Sequence, residues 1–216
     1  MSDYQEARSA YYRLRCEKVA ESLKKRGFEA VVASDRAAAA DAVLEMIDPG
    51  ETVGVPGTVT ARELDLLEGL EARGNSVIQH WVTGASKEEI RRRRIGQMNA
   101  DVLLTSTNAV TLDGKLVNID GTGNRVASMV FGPKRVIVVA GANKIAHDLE
   151  EGLNRSKRVA GPINALRLGT DSPCVKTGYC VDCESPKTIC AVTVVMERRP
   201  SDTEVMVVLV PEEVGY

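Results

Sequence analysis

Four of the five cysteines fall in one run, Ser172-Pro-Cys-Val-Lys-Thr-Gly-Tyr-Cys-Val-Asp-Cys-Glu-Ser-Pro-Lys-Thr-Ile-Cys190. Thiolates this close in sequence can share one soft metal site. Cys174, Cys180, Cys183 and Cys190 are spaced C-x5-C-x2-C-x6-C, and Cys180-x2-Cys183 is the tight chelating pair. Gly178 permits a sharp turn, and Pro173 and Pro186 bracket the loop. Zinc and an iron–sulfur cluster both suit four thiolates. A zinc ribbon would show a second C-x2-C, and a bacterial ferredoxin run would show C-x2-C-x2-C. Neither is present, so the metal stays open between a 4Fe-4S cluster and zinc. The competing roles are a redox pair, structural disulfides and small buried residues. The stretch Met1-Ser-Asp-Tyr-Gln-Glu has no basic n-region and no apolar h-region. A cytoplasmic, reducing location is therefore expected, which weighs against disulfides. Cys16, alone in a helical pattern, reads as a core residue.

A second set of candidates lies in glycine-rich loops. Gly54-Val-Pro-Gly-Thr-Val-Thr60 sets Gly57 and Thr58 between a strand and a helix start, where free N–H groups can hold an anion. It is neither a Walker A nor a dinucleotide fingerprint, and a tight turn with Thr58 or Thr60 as N-cap serves equally well. Asn118-Ile-Asp-Gly-Thr-Gly-Asn-Arg125 offers Asp120 and Asn124 on a loop opened by Gly121 and Gly123. Arg125 adds a cation shaped for carboxylate or phosphate. An Asx turn entering a helix capped by Asn124 is the plainer reading. Gly141-Ala-Asn-Lys-Ile145 brings Asn143 and Lys144 to a strand end, and Asn108 sits at an equivalent one. His80 and His147 form no ligand or triad pattern and read as structural. Arg91-Arg-Arg-Arg94 reads first as a solvated helix face, and otherwise as an anion or subunit contact.

Hydrophobic periodicity supplies the scaffold for these loops. A helix is expected over 3–26, ended by Gly27, then a strand at 28–33 and a helix from Asp35 to Ile47. A strand at 52–55 and a helix carrying Leu64, Leu67 and Leu70 to Gly74 follow. Next come a strand at 76–80 and a helix to about Asn99, which Ser86 and Glu89 start as a capping box. A strand at 101–106 leads into a hairpin, 109–112 and 115–119, turning at Asp113-Gly114. A short helix over 123–131 and an apolar strand over 135–140 come next. Residues 145–165 read as helical, broken near Gly161-Pro162, and the last strands are 191–197 and 205–210. Apolar strands alternating with helices imply one α/β domain over 1–216 with a mostly parallel sheet. Ligands of such sheets bind at strand carboxyl ends. With 44% hydrophobic residues, 216 residues suffice for one core. A net charge of −2 and 4% aromatics give nucleic acid neither a field nor stacking platforms. No apolar run approaches the roughly 20 residues of a membrane span.

The run Thr105–Arg125, with Gly132-Pro-Lys-Arg-Val-Ile-Val-Val-Ala-Gly-Ala-Asn-Lys-Ile145, resembles the LUD (lactate-utilisation) domain family, formerly a domain of unknown function. The likeness extends from the N-terminal helix to Val210, and the cysteine-rich tail resembles the family's short, single-domain branch. The resemblance implies a three-layer α/β/α fold of the NagB/RpiA/CoA transferase-like kind. It also implies a link to oxidation of L-lactate or related hydroxy acids, beside larger subunits that carry iron–sulfur clusters. This chain lacks the ferredoxin-like domain of the larger subunit.

Together these readings point to a protein of hydroxy-acid utilisation that binds a small anionic metabolite. The loops at 56–60, 108, 120–125 and 141–144 would line its site. Arg125 or Lys144 would clamp the anion, Asn108 and Asn124 would orient it, and Asp120 would serve as general base. Electron transfer, other lactate-utilisation subunits as partners and a homo-oligomer are further expectations. The rivals are a non-catalytic accessory module with a structural metal, and an isomerase or transferase acting on sugar-phosphate or CoA substrates.

Overall fold

Two strands dominated by apolar residues occupy the middle of the larger sheet. In the computed structural model, which describes residues 3–216, these are β4 (Val102–Ser106) and β7 (Arg135–Gly141). They pair in parallel and are joined by β1 (Glu29–Val32), β2 (Thr52–Val55), β3 (Ser76–Gln79) and β10 (Glu204–Val210). The six-stranded sheet has the order β1-β10-β7-β4-β2-β3 and is parallel throughout.

Successive side chains of a strand face opposite ways, so this sheet feeds two cores. Leu103, Val136, Val138, Val205, Val207 and Leu209 face one side, where Cys16, Val19 and Leu23 of α1 (Asp3–Lys25) cover them. Val102, Leu104, Ile137, Val139, Val208 and Val210 face the other side. There they meet Val43 of α2 (Arg36–Glu45), Ile47, and Leu66 and Leu70 of α4 (Leu66–Ala72). Each fully buried Leu or Ile contributes roughly 1.5–3 kcal/mol. The result is the layered α/β architecture expected.

A smaller sheet, of order β8-β5-β6-β9, lies beside the first. β5 (Ala109–Thr111) and β6 (Leu116–Asp120) form the anticipated hairpin, with Gly114 left-handed at φ 88°. β9 (Val192–Met196) runs antiparallel to β6 and pairs Val192 with Asp120. That register delivers the cysteine loop to the carboxyl end of β6.

Several local expectations are corrected. The helix expected up to Gly74 is two, α3 (Val59–Glu63) and α4, separated by Asp65 at φ 51°. Aspartate tolerates that left-handed step better than most side chains. Glu89 gives its N–H to the Ser86 hydroxyl, but its carboxylate pairs with Arg92 and Arg93 of α5 (Lys87–Met98), so the capping box is half made. The stretch 145–165 begins as a strand, β8 (Ile145–Ala146), and α7 (Leu149–Arg155) starts only at the Asp148 cap. It then runs through a π turn (Ser156–Ala160) into α8 (Gly161–Leu168) without a break at Pro162. A widened turn accommodates the N–H that proline lacks.

Gly54 fixes how closely α5 lies on the sheet. A Cβ there would sit 2.7 Å from the Gln97 carbonyl oxygen. The buried Gln97 amide donates to the carbonyls of Val55 (3.1 Å) and Ile78 (3.2 Å) and lies 3.1 Å from His80 Nδ1. Gly54→Ala is expected to cost about 1–3 kcal/mol by overpacking, measured as a fall in the urea midpoint at unchanged slope.

Candidate functional site

The carboxyl ends of β2, β3, β4, β6 and β7 surround a cleft of about 370 Å³. Gly57, Thr58, Asn108, Asp120, Gly121, Asn124, Arg125 and Lys144 all line it. Gly123, Gly141 and Asn143 do not. Gly123, left-handed at φ 86°, is the N-cap of α6 (Asn124–Val130), a place the plainer reading had given to Asn124. The Asn143 amide donates to the Gly215 carbonyl (3.0 Å) and its oxygen accepts from the Val214 N–H (3.2 Å). A Cβ on Gly141 would lie 2.5 Å from that same N–H. Both residues therefore hold the 212–216 segment and not a ligand. Thr58 caps α3, accepting from Ala61 N–H at 3.4 Å.

Arg125 is not an open clamp. Its Nη1 donates to the Ser106 carbonyl (3.1 Å) and to Asn118 Oδ1 (2.6 Å), and its Nη2 to Asn108 Oδ1 (3.0 Å) and the Ile119 carbonyl (2.8 Å). Its Nε stands 3.5 Å from Asp120 Oδ2. Burial lowers its pKa, with Asp120 opposing. A guanidinium with every N–H committed organises the loops instead of gripping a substrate. Asp120 is committed as well: Oδ1 accepts from the N–H groups of Thr122 (3.0 Å) and Gly123 (2.8 Å). It anchors a turn through Oδ1, while Oδ2 makes only the 3.5 Å ion-pair contact with Arg125. Asn108, pinned through Oδ1 by Arg125 and by Ile119 N–H (2.8 Å), keeps its NH2 unbonded among the described residues.

Lys144 is only 3% exposed, in a short 3-10 turn after β7. Its Nζ donates to Thr60 Oγ1 and Ser106 Oγ, each at 2.8 Å, and these hydroxyls lie 3.2 Å apart. No carboxylate is within ion-pair distance among the described residues. Burial lowers its pKa to about 7, with the Arg155 and Arg125 cations adding to the shift. The cleft thus contains an amine that holds or releases a proton near neutrality.

Residues not singled out in the sequence complete the wall. Arg94, last of the basic run, turns into the cleft. It makes no hydrogen bond or ion pair among the described residues, and its buried Nε has no partner. Arg91 and Arg92 stay exposed as a solvated face should. His80, held by Gln97, lines the cleft too. Burial lowers its pKa, and Arg94 adds to that. Trp81 lies beneath Arg62 (3.8 Å from the ring centroid) and Arg167 (4.7 Å). Gly57 must be glycine for this ring, since a Cβ would meet it at 2.8 Å. The missed signal was positional: His80 and Trp81 follow a strand end, as Asn108 does.

The four loop cysteines line a second cavity, of about 50 Å³, and Ile189 belongs to the walls of both cavities. They were expected to gather around one point. Instead they ring the cavity, and among the described residues no three metal-ligating side chains enclose one ion. Burial, with the neighbouring loop thiols adding to it, raises the pKa of Cys174 and Cys190. All five cysteines are free, and Cys16 is buried in the core as anticipated.

The LUD domain family model matches residues 16–210. The chain belongs to the LUD domain family. That family is associated with lactate utilisation. Among solved structures, a DUF162 family protein from Deinococcus radiodurans is 14% identical, over 92% of this chain and 98% of that one, with a TM-score of 0.49. eIF2B delta from Chaetomium thermophilum is 19% identical, over 56% of this chain and 54% of that one, with a TM-score of 0.37. Translation initiation factor eIF-2B from Pyrococcus horikoshii OT3 is 18% identical, over 50% and 46%, with a TM-score of 0.33. No curated protein matches the chain. In this LUD domain no described helix is long and apolar enough to cross a membrane.

Two stability outcomes follow. Arg125→Met removes the charge but strands Asp120 and four carbonyl or amide oxygens, and should cost about 3–5 kcal/mol in denaturant unfolding. Lys144→Met should act the other way. Above the unfolded lysine's pKa, near 10.5, the amine is neutral in both states. As pH falls towards 7 the unfolded chain takes up a proton that the folded one resists, and below 7 the full cost is carried. The variant's gain, about 1–4 kcal/mol from the size of that shift, should therefore be largest below neutrality and fade by pH 10.5.

Proposed function

We propose that this LUD domain binds a small carboxylate metabolite of hydroxy-acid utilisation in the cleft. Arg94 is the anion anchor, and Lys144 is the group that holds or moves a proton beside the ligand. The observation that carries the reading is Arg94, a half-buried cation aimed into the cleft with its Nε unbonded. An unpaired guanidinium in a concave site is suited to bidentate capture of a carboxylate. The charge balance supports it. Arg94, Arg125, Lys144 and Arg167 line the cleft, against Asp120 as the one acidic side chain in the wall. The unbonded Asn108 amide adds a neutral donor for a hydroxyl or carbonyl oxygen. The sheet ends supply the rigidity, and 370 Å³ suits a small metabolite.

Calorimetric titration of the full chain with L-lactate, pyruvate and inorganic phosphate tests this. A carboxylate should bind, and Arg94→Ala should weaken it about 10- to 100-fold, the worth of one charge-assisted contact. Stability should change by no more than about 0.5 kcal/mol, since Arg94 has no internal partner to strand. Binding that is indifferent to Arg94, or a preference for phosphate over both carboxylates, would defeat the reading. Affinity should also fall as pH rises through about 7, where Lys144 loses its charge, and Lys144→Met should flatten that dependence.

A further inference from the structure

We infer that Cys174, Cys180, Cys183 and Cys190 hold an iron–sulfur cluster in the cavity they line, set against the metabolite cleft across Ile189. The inference deepens the reading of the cleft but rests on other residues. Four thiols face one small space. Among the described residues no three metal-ligating side chains stand where they could hold a metal ion, so the four thiols must draw inward as the cluster assembles. One zinc would need its sulfurs roughly 3.7 Å apart, from Zn–S bonds of about 2.3 Å, whereas a cubane spreads its thiolates over a larger core.

The loop is shaped around these thiols. Cys174 opens the short helix α9 (Cys174–Thr177), which Gly178 ends in the left-handed region at φ 76°. Asp182, inside the C-x2-C pair, is left-handed at φ 49° and points its N–H at Cys180 Sγ, 3.4 Å away. Such N–H contacts to sulfur help set the potential of a cluster. Lys157, carried on the π turn, lines the same cavity and ion-pairs Asp182 at 2.6 Å. It is the cation that would offset thiolate charge. Gly161, one turn on, packs beside Cys190: a Cβ there would lie in ordinary contact with its sulfur, at 3.5 Å.

The link to the cleft is covalent and short. Ile189 precedes Cys190, and a Cβ on Gly121 would meet its Cα at 2.9 Å. Ala191 N–H then donates to the Asp120 carbonyl at 3.0 Å. A one-electron centre in the cysteine cavity would therefore stand beside a metabolite in the cleft.

The test is anaerobic reconstitution of the full chain with ferrous iron and sulfide, and separately with zinc. Iron and sulfide should be retained in equal amounts, with a broad visible charge-transfer band and an EPR signal on reduction. Cys180→Ser and Cys190→Ser should lose band and signal while far-UV circular dichroism is unchanged, and Cys16→Ser should keep both. Arg94→Ala should also keep both, so failure of the cleft reading and failure of this one are separable. Lys157→Glu should lower the midpoint potential by replacing a cation with an anion. Zinc retained in preference to iron, intramolecular disulfides in protein kept anaerobic throughout, or a band that survives the cysteine substitutions would overturn the inference. A potential indifferent to Lys157 would place the cluster outside this cavity and overturn it as well.

Discussion

One guanidinium ties the site together. Arg125 joins the end of β4, the end of β6, the Asp120 turn and α6 by four N–H···O contacts and one ion pair. A buried cation is tolerated only where its donors are satisfied. The residues around it are arranged to that end: Asn108 and Asn118 offer their amide oxygens, and β4 and β6 offer carbonyls at their ends. The left-handed Gly123 lets the chain turn so that Asp120 faces back. Asn108, which lines the cleft, is thereby fixed with its NH2 unbonded among the described residues, and Arg125's charge adds to the desolvation that lowers the pKa of Lys144.

Much of the frame was legible in the sequence because the strands are buried on both faces. Runs such as Arg135–Gly141 admit almost no polar residue, so composition alone marks them. Asp113-Gly114 and Ser86 were legible because turns and caps depend on one or two local residues. What stayed hidden depends on partners far along the chain. Arg125 looked like a clamp because nothing local shows that Asn108, Asn118 and two carbonyls will surround it. Arg94 looked solvated because its three preceding arginines set the expectation, and nothing local shows that α5 brings it to the cleft wall. The break at Asp65 and the unbroken passage through Pro162 turn on single backbone steps, a left-handed residue and a widened turn, that hydrophobic periodicity does not register.

The two cavities share a wall yet differ in construction. The cleft is built on sheet ends, where the sheet's parallel pairing resists displacement. The cysteine cavity is built on a loop whose only regular piece is α9, held by Lys157–Asp182 and by the start of β9. Gly121 and Ile189 are in close backbone contact where the two cavities meet. A shift in one loop is felt by the other, because neither has slack at that point.

The single tryptophan of the chain carries a separate consequence. Trp81 sits in the wall of the cleft, with two guanidinium groups over its indole ring. Indole emission depends on the charges around the ring, and here all of it originates from one spot. The molecule has its own luminescent gauge, whose colour and brightness track the stance of Arg62 and Arg167 without any label being attached.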